Sequence, residues 1–120
     1  MNEIQGWINL YKPKNISSFK AINKIKKKFL FPKICHAGTL DPLAEGILPI
    51  AIGKATKLIP FVNNDLKKYS FTVSWGSQTS TDDSEGTILN QSKLQPKLNI
   101  IEETIKSYIG KHFQTPPKVS

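Results

Sequence analysis

His36-Ala37-Gly38-Thr39-Leu40-Asp41-Pro42-Leu43-Ala44-Glu45-Gly46-Ile47-Leu48-Pro49-Ile50 decides how this chain reads. The run sets one carboxylate, Asp41, on a short loop bounded by Gly38 and Gly46 and stiffened by Pro42 and Pro49. His36 stands just upstream. Ile47 to Ile52 follows as a short, isoleucine-rich stretch of the kind that forms a buried strand. A carboxylate held on a Gly/Pro-shaped loop beside a buried strand is what nucleophilic catalysis by aspartate needs. Taken alone, Asp-Pro more often marks a turn whose carboxylate caps a neighbouring amide.

Upstream of this run, Gly6 to Tyr11 reads as a strand that Lys12-Pro13 breaks, because proline cannot donate to a ladder. Ser17 or Ser18 is a good N-cap for a helix whose Phe19, Ile22, Ile25 and Phe29 recur at helical spacing and predict its core face. Lys20, Lys24, Lys27 and Lys28 fall mainly on the other face, which is either solvated or aimed at a polyanion. Phe31-Pro32 ends the helix. Lys67 to Trp75 alternates, with Tyr69, Phe71, Val73 and Trp75 on one face, and predicts a half-buried strand. Thr79 to Gly86 is a polar loop. Asn99 with Glu102 has the spacing of a capping box for a helix with Ile101, Ile105, Tyr108 and Ile109 as its buried stripe and Gly110 as its stop.

The 120 residues allow one domain at most, or part of a larger one. No stretch approaches the apolar length of a transmembrane helix, and no signal peptide opens the chain. One cysteine, Cys35, excludes an internal disulfide and fits a reducing compartment, and no Cys/His spacing suggests a metal site. The net charge of +8 is uneven: residues 1–60 hold ten lysines against three acids, residues 61–120 seven against six. Such a field attracts polyanions without reading their sequence. All 17 basic residues are lysine, so the chain lacks the planar fork that pairs bidentately with a carboxylate.

The run from His36 to Pro49 resembles the G-H-T/A-G-T/A-L-D-P-L-A-T-G-V-L-P signature of the TruB-type tRNA pseudouridine synthases. Lys12-Pro13-Lys14-Asn15-Ile16-Ser17-Ser18 resembles that family's K-P-x-G-x-T/S-S element, with Asn15 for glycine, the next most tolerant residue for a left-handed turn. Gly53-Lys54-Ala55-Thr56-Lys57 resembles the family's G-x-A-T-K run, which implies a short helix reaching about Val62. Thr79 to Gly86 resembles T-D-T-x-D-x-x-G, with Asp83 and Gly86 in place and Ser80 for the first aspartate. Cys35 replaces the glycine before the histidine, which predicts strain in the loop if that position has positive φ, and Glu45 replaces a threonine. A small basic ribosome-type protein explains the lysines but not this signature.

The resemblance implies an α+β fold: part of the pseudouridine synthase catalytic fold, a mixed, mainly antiparallel sheet flanked by helices and loops. It implies that residues 1–120 are the N-terminal portion of the catalytic domain. Gln114-Thr115-Pro116-Pro117-Lys118-Val119-Ser120 resembles the start of Q-x-P-P-x-x-S-A-x-K, so more chain is expected beyond Ser120, including the family's active-site arginine and a small RNA-binding domain. The isolated portion is then expected to be weakly stable.

By the same resemblance Asp41 is the catalytic nucleophile. Tyr69, in Lys67-Lys68-Tyr69, stacks on the extruded uracil and serves proton transfer. His36 fills the space the flipped base vacates, and Lys12, Lys20, Lys24 and Thr39 contact RNA. Gly38, Pro42, Gly46 and Pro13 support the loop, and Lys12 joins Pro13 in buttressing it. No metal or other cofactor is implied. The implied partner is the T-arm stem-loop of tRNA, whose uridine 55 is isomerised in the cytoplasm by an enzyme that is a monomer at full length. The alternative is a truncated, non-catalytic RNA-binding remnant.

Overall fold

The computed structural model describes residues 4–62 and 66–118 and divides the chain after Lys68 into two compact units. The first is built on a three-stranded antiparallel sheet in the order β1 (Gly6–Lys12), β3 (Gly46–Ile52), β2 (Ile34–His36). Its register pairs Ile8 with Ile50, Leu10 with Leu48 and Lys12 with Gly46, while His36 of β2 faces Ile50 from the other side. The fold is α+β, as the resemblance implies.

β3 is central although it carries Pro49, a residue normally confined to edges. The Pro49 carbonyl accepts from Ala37 N–H at 2.8 Å, so its ladder side faces the β2 edge, one residue past the end of that strand. The missing N–H therefore takes nothing from the β1 ladder. Leu48, Ile50 and Ile52 share one buried face of the strand, and Ala51 is buried as well.

α1 (Ser18–Phe29) follows the predicted cap: Ser17 Oγ accepts from Lys20 N–H at 3.1 Å, and the helix closes with Leu30 in the left-handed region. Its buried residues are Ser18, Ala21 and Ile22. The predicted stripe is therefore corrected at both ends. Phe19 is 69% exposed and Phe29 56% exposed, stacked on Phe31. Each helical residue turns about 100° from the last, so a contact centred on small Ser18 and Ala21 swings Phe19 off the packed face. After β3 a 3₁₀ turn (Gly53–Leu58) runs into α2 (Ile59–Val62), where a helix was expected.

The second unit holds a hairpin, β4 (Ser77–Thr79) and β5 (Ile88–Gln91), and α3 (Leu98–Ser107). The polar Thr79–Gly86 segment is the hairpin's connection, which the sequence reading saw only as a loop. The Asp83 carboxylate accepts from Thr81 Oγ (2.5 Å) and Glu85 N–H (2.8 Å), and the Thr81 bond foremost holds its pKa below the usual value. A Cβ on Gly86 would sit 2.7 Å from Thr81 backbone nitrogen, so only glycine fits there.

Three expectations fail from Lys67 onward. Lys67 to Trp75 is not a strand: no ladder reaches it among the described residues, and Phe71, Val73 and Trp75 are exposed. Alternation specifies two faces but no partner, and a strand exists only with one. Asn99 is not a cap either. Lys97 takes that position in extended backbone with no side-chain bond, placing Asn99 inside the first turn. Ile105, Tyr108 and Ile109 of the predicted buried stripe are exposed and Ile101 is half-buried, because no described residue of this unit is buried to give the stripe a core.

Candidate active site

The Asp41 loop is fastened on both sides of the aspartate, and the fastenings come from β1 and α1. Lys12 ends β1 and is fully buried. Its ammonium donates to the carbonyls of Ala44 (2.5 Å), Ile16 (2.8 Å) and Pro13 (2.9 Å), with Pro42 at 3.4 Å. Burial lowers its pKa below the ordinary lysine value, and the Asp41 charge partly offsets that. The Lys12 donors are thus spent on backbone carbonyls, as expected of a buttress of the loop, and are not presented to RNA.

Ser18 supplies the second fastening. Its hydroxyl donates to the Leu40 carbonyl and accepts from Leu40 N–H, both at 3.0 Å. The third is Asn15, whose N–H donates to the Pro42 carbonyl at 2.8 Å. Asn15 has φ 64°, the left-handed conformation expected of this glycine replacement. Between Leu40 and Pro42 the Asp41 carbonyl accepts from Ala44 N–H at 3.0 Å, closing a turn. The Asp41 side chain is exposed and makes no hydrogen bond among the described residues. The carboxylate is thus unengaged on a clamped backbone, near enough to the buried Lys12 ammonium to act on its charge.

The first unit brings to this loop most of the residues the sequence singled out. His36 is half-buried on β2, and its Nδ1 donates to the Gly38 carbonyl. Gly38 takes φ 77°. Thr39 is exposed, and its carbonyl accepts from Lys67 Nζ at 2.7 Å. Pro13 and Pro42 serve through their carbonyls, and Gly46 opens β3. Lys20 and Lys24 are exposed on α1. Tyr69 belongs to the second unit, with its ring 42% exposed on a segment that is not a strand.

Three participants went unread. Ser18 was seen as a cap, but its bond to Leu40 spans 22 residues and leaves no local signature. Lys67 was read only as part of a tyrosine motif. Tyr11 donates to the Glu45 carboxylate at 2.6 Å, and Lys14 approaches it at 3.7 Å. The Tyr11 bond foremost lowers the Glu45 pKa, and the same bond raises that of Tyr11.

The strain expected at Cys35 is absent. Cys35 lies in β2 opposite Ala51 and outside the positive-φ region. Cys35→Gly should therefore lower stability by about 0.5–1 kcal/mol, since glycine weakens a strand; the urea midpoint checks this. Ser18→Ala should cost about 2 kcal/mol, because it leaves both polar groups of Leu40 without their partner. Faster hydrogen exchange at Leu40 N–H would accompany it.

A model of the TruB family pseudouridylate synthases, N-terminal domain, matches residues 26–120. The chain belongs to the TruB family. The tRNA pseudouridine synthase B of Wolbachia pipientis subsp. Culex pipiens is 52% identical over 117 residues, covering 98% of this chain and 33% of that protein. The enzyme of the same description from Ehrlichia chaffeensis is 51% identical over 115 residues, 96% of this chain and 39% of that one. A solved Cbf5-Nop10-Gar1 complex contains a chain that aligns with 98% of this TruB-family chain at 25% identity and a TM-score of 0.62, through 30% of its own length. The chain thus spans about a third of the curated relatives it matches. Among the described residues no helix is long and apolar enough to cross a membrane, and no cluster of His, Cys, Asp or Glu could hold a metal.

Proposed function

We propose that residues 1–120 form the N-terminal portion of the catalytic domain of a tRNA pseudouridine synthase, and that Asp41 is its nucleophile toward uridine 55 of the T-loop. The observation that carries this reading is the Asp41 carboxylate itself, free and exposed on a backbone held by Lys12, Ser18 and Asn15.

In the reaction the bond from the ribose C1′ to N1 of uracil breaks, the base turns, and C1′ joins C5. The proton on C5 is released and N1 gains one, so the product is an isomer of the substrate. The target base is stacked in the folded arm and must be flipped out, at a cost of a few kcal/mol. His36, held by Gly38, presents an imidazole plane able to fill the gap. Tyr69 offers a ring to stack on the uracil and a hydroxyl for proton transfer. Thr39, Lys20 and Lys24 contact the RNA, while Lys12 works through the loop. The enzyme acts in the cytoplasm as a monomer.

A second reading is a non-catalytic RNA-binding chain, which the ten lysines against three acids in residues 1–60 also fit. Tritium release from a T-arm hairpin carrying C5-tritiated uridine separates the two. C5 gives up its hydrogen only when the new carbon–carbon bond forms. The chain is assayed alone and fused to the remaining two thirds of the Wolbachia relative. Release by the fusion supports the enzyme; silence in both supports the remnant.

A further inference from the structure

From Gly38 to Pro42 every carbonyl of the loop accepts a hydrogen bond. Gly38 is held by His36, Thr39 by Lys67, Leu40 by Ser18, Asp41 by Ala44 N–H and Pro42 by Asn15 N–H. All of these donors but one lie before β3. The exception among the described residues is Lys67, which follows β3 and α2 and reaches back 28 residues to the Thr39 carbonyl at 2.7 Å.

An exposed lysine on a nearby carbonyl is usually incidental, but the position of this one is not. The Thr39 carbonyl and the Leu40 N–H are opposite edges of one planar peptide group. Ser18 Oγ accepts from that N–H at 3.0 Å, and Lys67 Nζ donates to that carbonyl. The plane is therefore held at both edges, and it is the last full peptide group before the one that joins Leu40 to Asp41. With Ser18 alone it would be held at one edge and free to rock about that bond. Gly38, in the left-handed region at φ 77°, lies just upstream and gives the chain a pivot there. Lys67 is exposed, unlike the buried Lys12 and Ser18, so its bond adds aim to the loop and little to the stability of the unit.

We propose that Lys67 is a positioning residue for Asp41. By holding the Thr39 carbonyl it fixes the tilt of the peptide plane that leads into the nucleophile, and it acts through the backbone alone. The proposal rests on the reading of Asp41 given above. Lys67 stands two residues before Tyr69 in the chain, so the bond that steadies the loop also anchors the start of the segment carrying that ring.

The test compares Lys67→Met, Lys67→Arg and Lys68→Met with the parent in the fused protein, using the T-arm hairpin with C5-tritiated uridine. Lys67→Met should lower kcat about 10-fold, with KM and hairpin affinity within about twofold of the parent and the urea midpoint unchanged. Leu40 N–H, on the same peptide plane, should exchange several-fold faster in that variant. Lys67→Arg still offers a donor at its tip and should bring kcat back to within about threefold of the parent. Lys68→Met removes the same charge one residue on and should match the parent in rate and exchange. A raised KM with unchanged kcat in Lys67→Met, parent-like kcat there, no rescue by arginine, or an equal loss in Lys68→Met would each overturn the positioning role while leaving Asp41 as the nucleophile. A parent that releases no tritium, or whose release Asp41→Asn leaves intact, would overturn the positioning role together with the reading it rests on.

Discussion

Asp41→Asn is expected to reduce pseudouridine formation by the fused protein by on the order of 10⁴-fold or more, with binding of the T-arm hairpin unchanged. The substitution keeps size and polarity but removes the negative charge and the nucleophilic oxygen. The loop should survive it, because every fastening runs through other residues: Lys12, Ser18 and the Asn15 backbone. The split is therefore diagnostic. Lost turnover with retained affinity identifies a chemical role, whereas parallel loss of both would mean that Asp41 shapes the loop. Tritium release and filter binding on the same samples read the two quantities.

Lys12→Met is expected to lower the unfolding free energy by about 3 kcal/mol, the largest stability effect of any single change considered. Methionine fills similar space but donates nothing, so the carbonyls of Pro13, Ile16 and Ala44 lose their donor inside the fold. Each buried, unpaired polar group costs about 1–3 kcal/mol, and partial relaxation toward water keeps the total near the lower bound. Against a small core of Ala21, Ile22, Leu48, Ile50, Ala51, Ile52 and Ala55, that is a large share of what holds the unit together. Lys14→Met, one exposed residue away in type, should change stability by less than about 0.5 kcal/mol. Urea unfolding of the two variants side by side, with hydrogen exchange at Ala44 and Asn15, checks both numbers. Equal midpoints would show that the ammonium is not needed by the loop.

The first unit was legible because its signals are local. Ser17 caps, Ile47–Ile52 is an unbroken apolar run, and Asn15 replaces glycine where only left-handed backbone fits. The loop around Asp41 was legible for a different reason: the motif is long. What pins that loop was not legible, since Ser18 meets Leu40 and Lys12 meets Ala44 across more than twenty residues. The family motif already casts Lys12 as a buttress of the loop, but which carbonyls it grips is decided by the fold alone. In the second unit the patterns of Tyr69–Trp75 and of α3 are real but incomplete as instructions. Amphipathic alternation states that a face should be covered without stating by what, and there Phe71, Ile105 and Tyr108 stand exposed. The β4–β5 hairpin was missed because its turn is built by Asp83 side-chain bonds rather than by a two-residue Asn-Gly type signal.

The clamps on the Asp41 loop grip main-chain atoms: carbonyls at Pro13, Ile16, Pro42 and Ala44, and both polar groups of Leu40. Every residue type except proline offers both of these atoms, and even proline keeps the carbonyl. The loop's side chains are consequently free to be rewritten while its path stays fixed, and Glu45, now engaged with Tyr11, shows one such rewriting already accommodated. For anyone recoding this segment, tolerance should be wide at Leu43 and Glu45 and narrow at two places outside the loop, Lys12 and Ser18, where the grip originates.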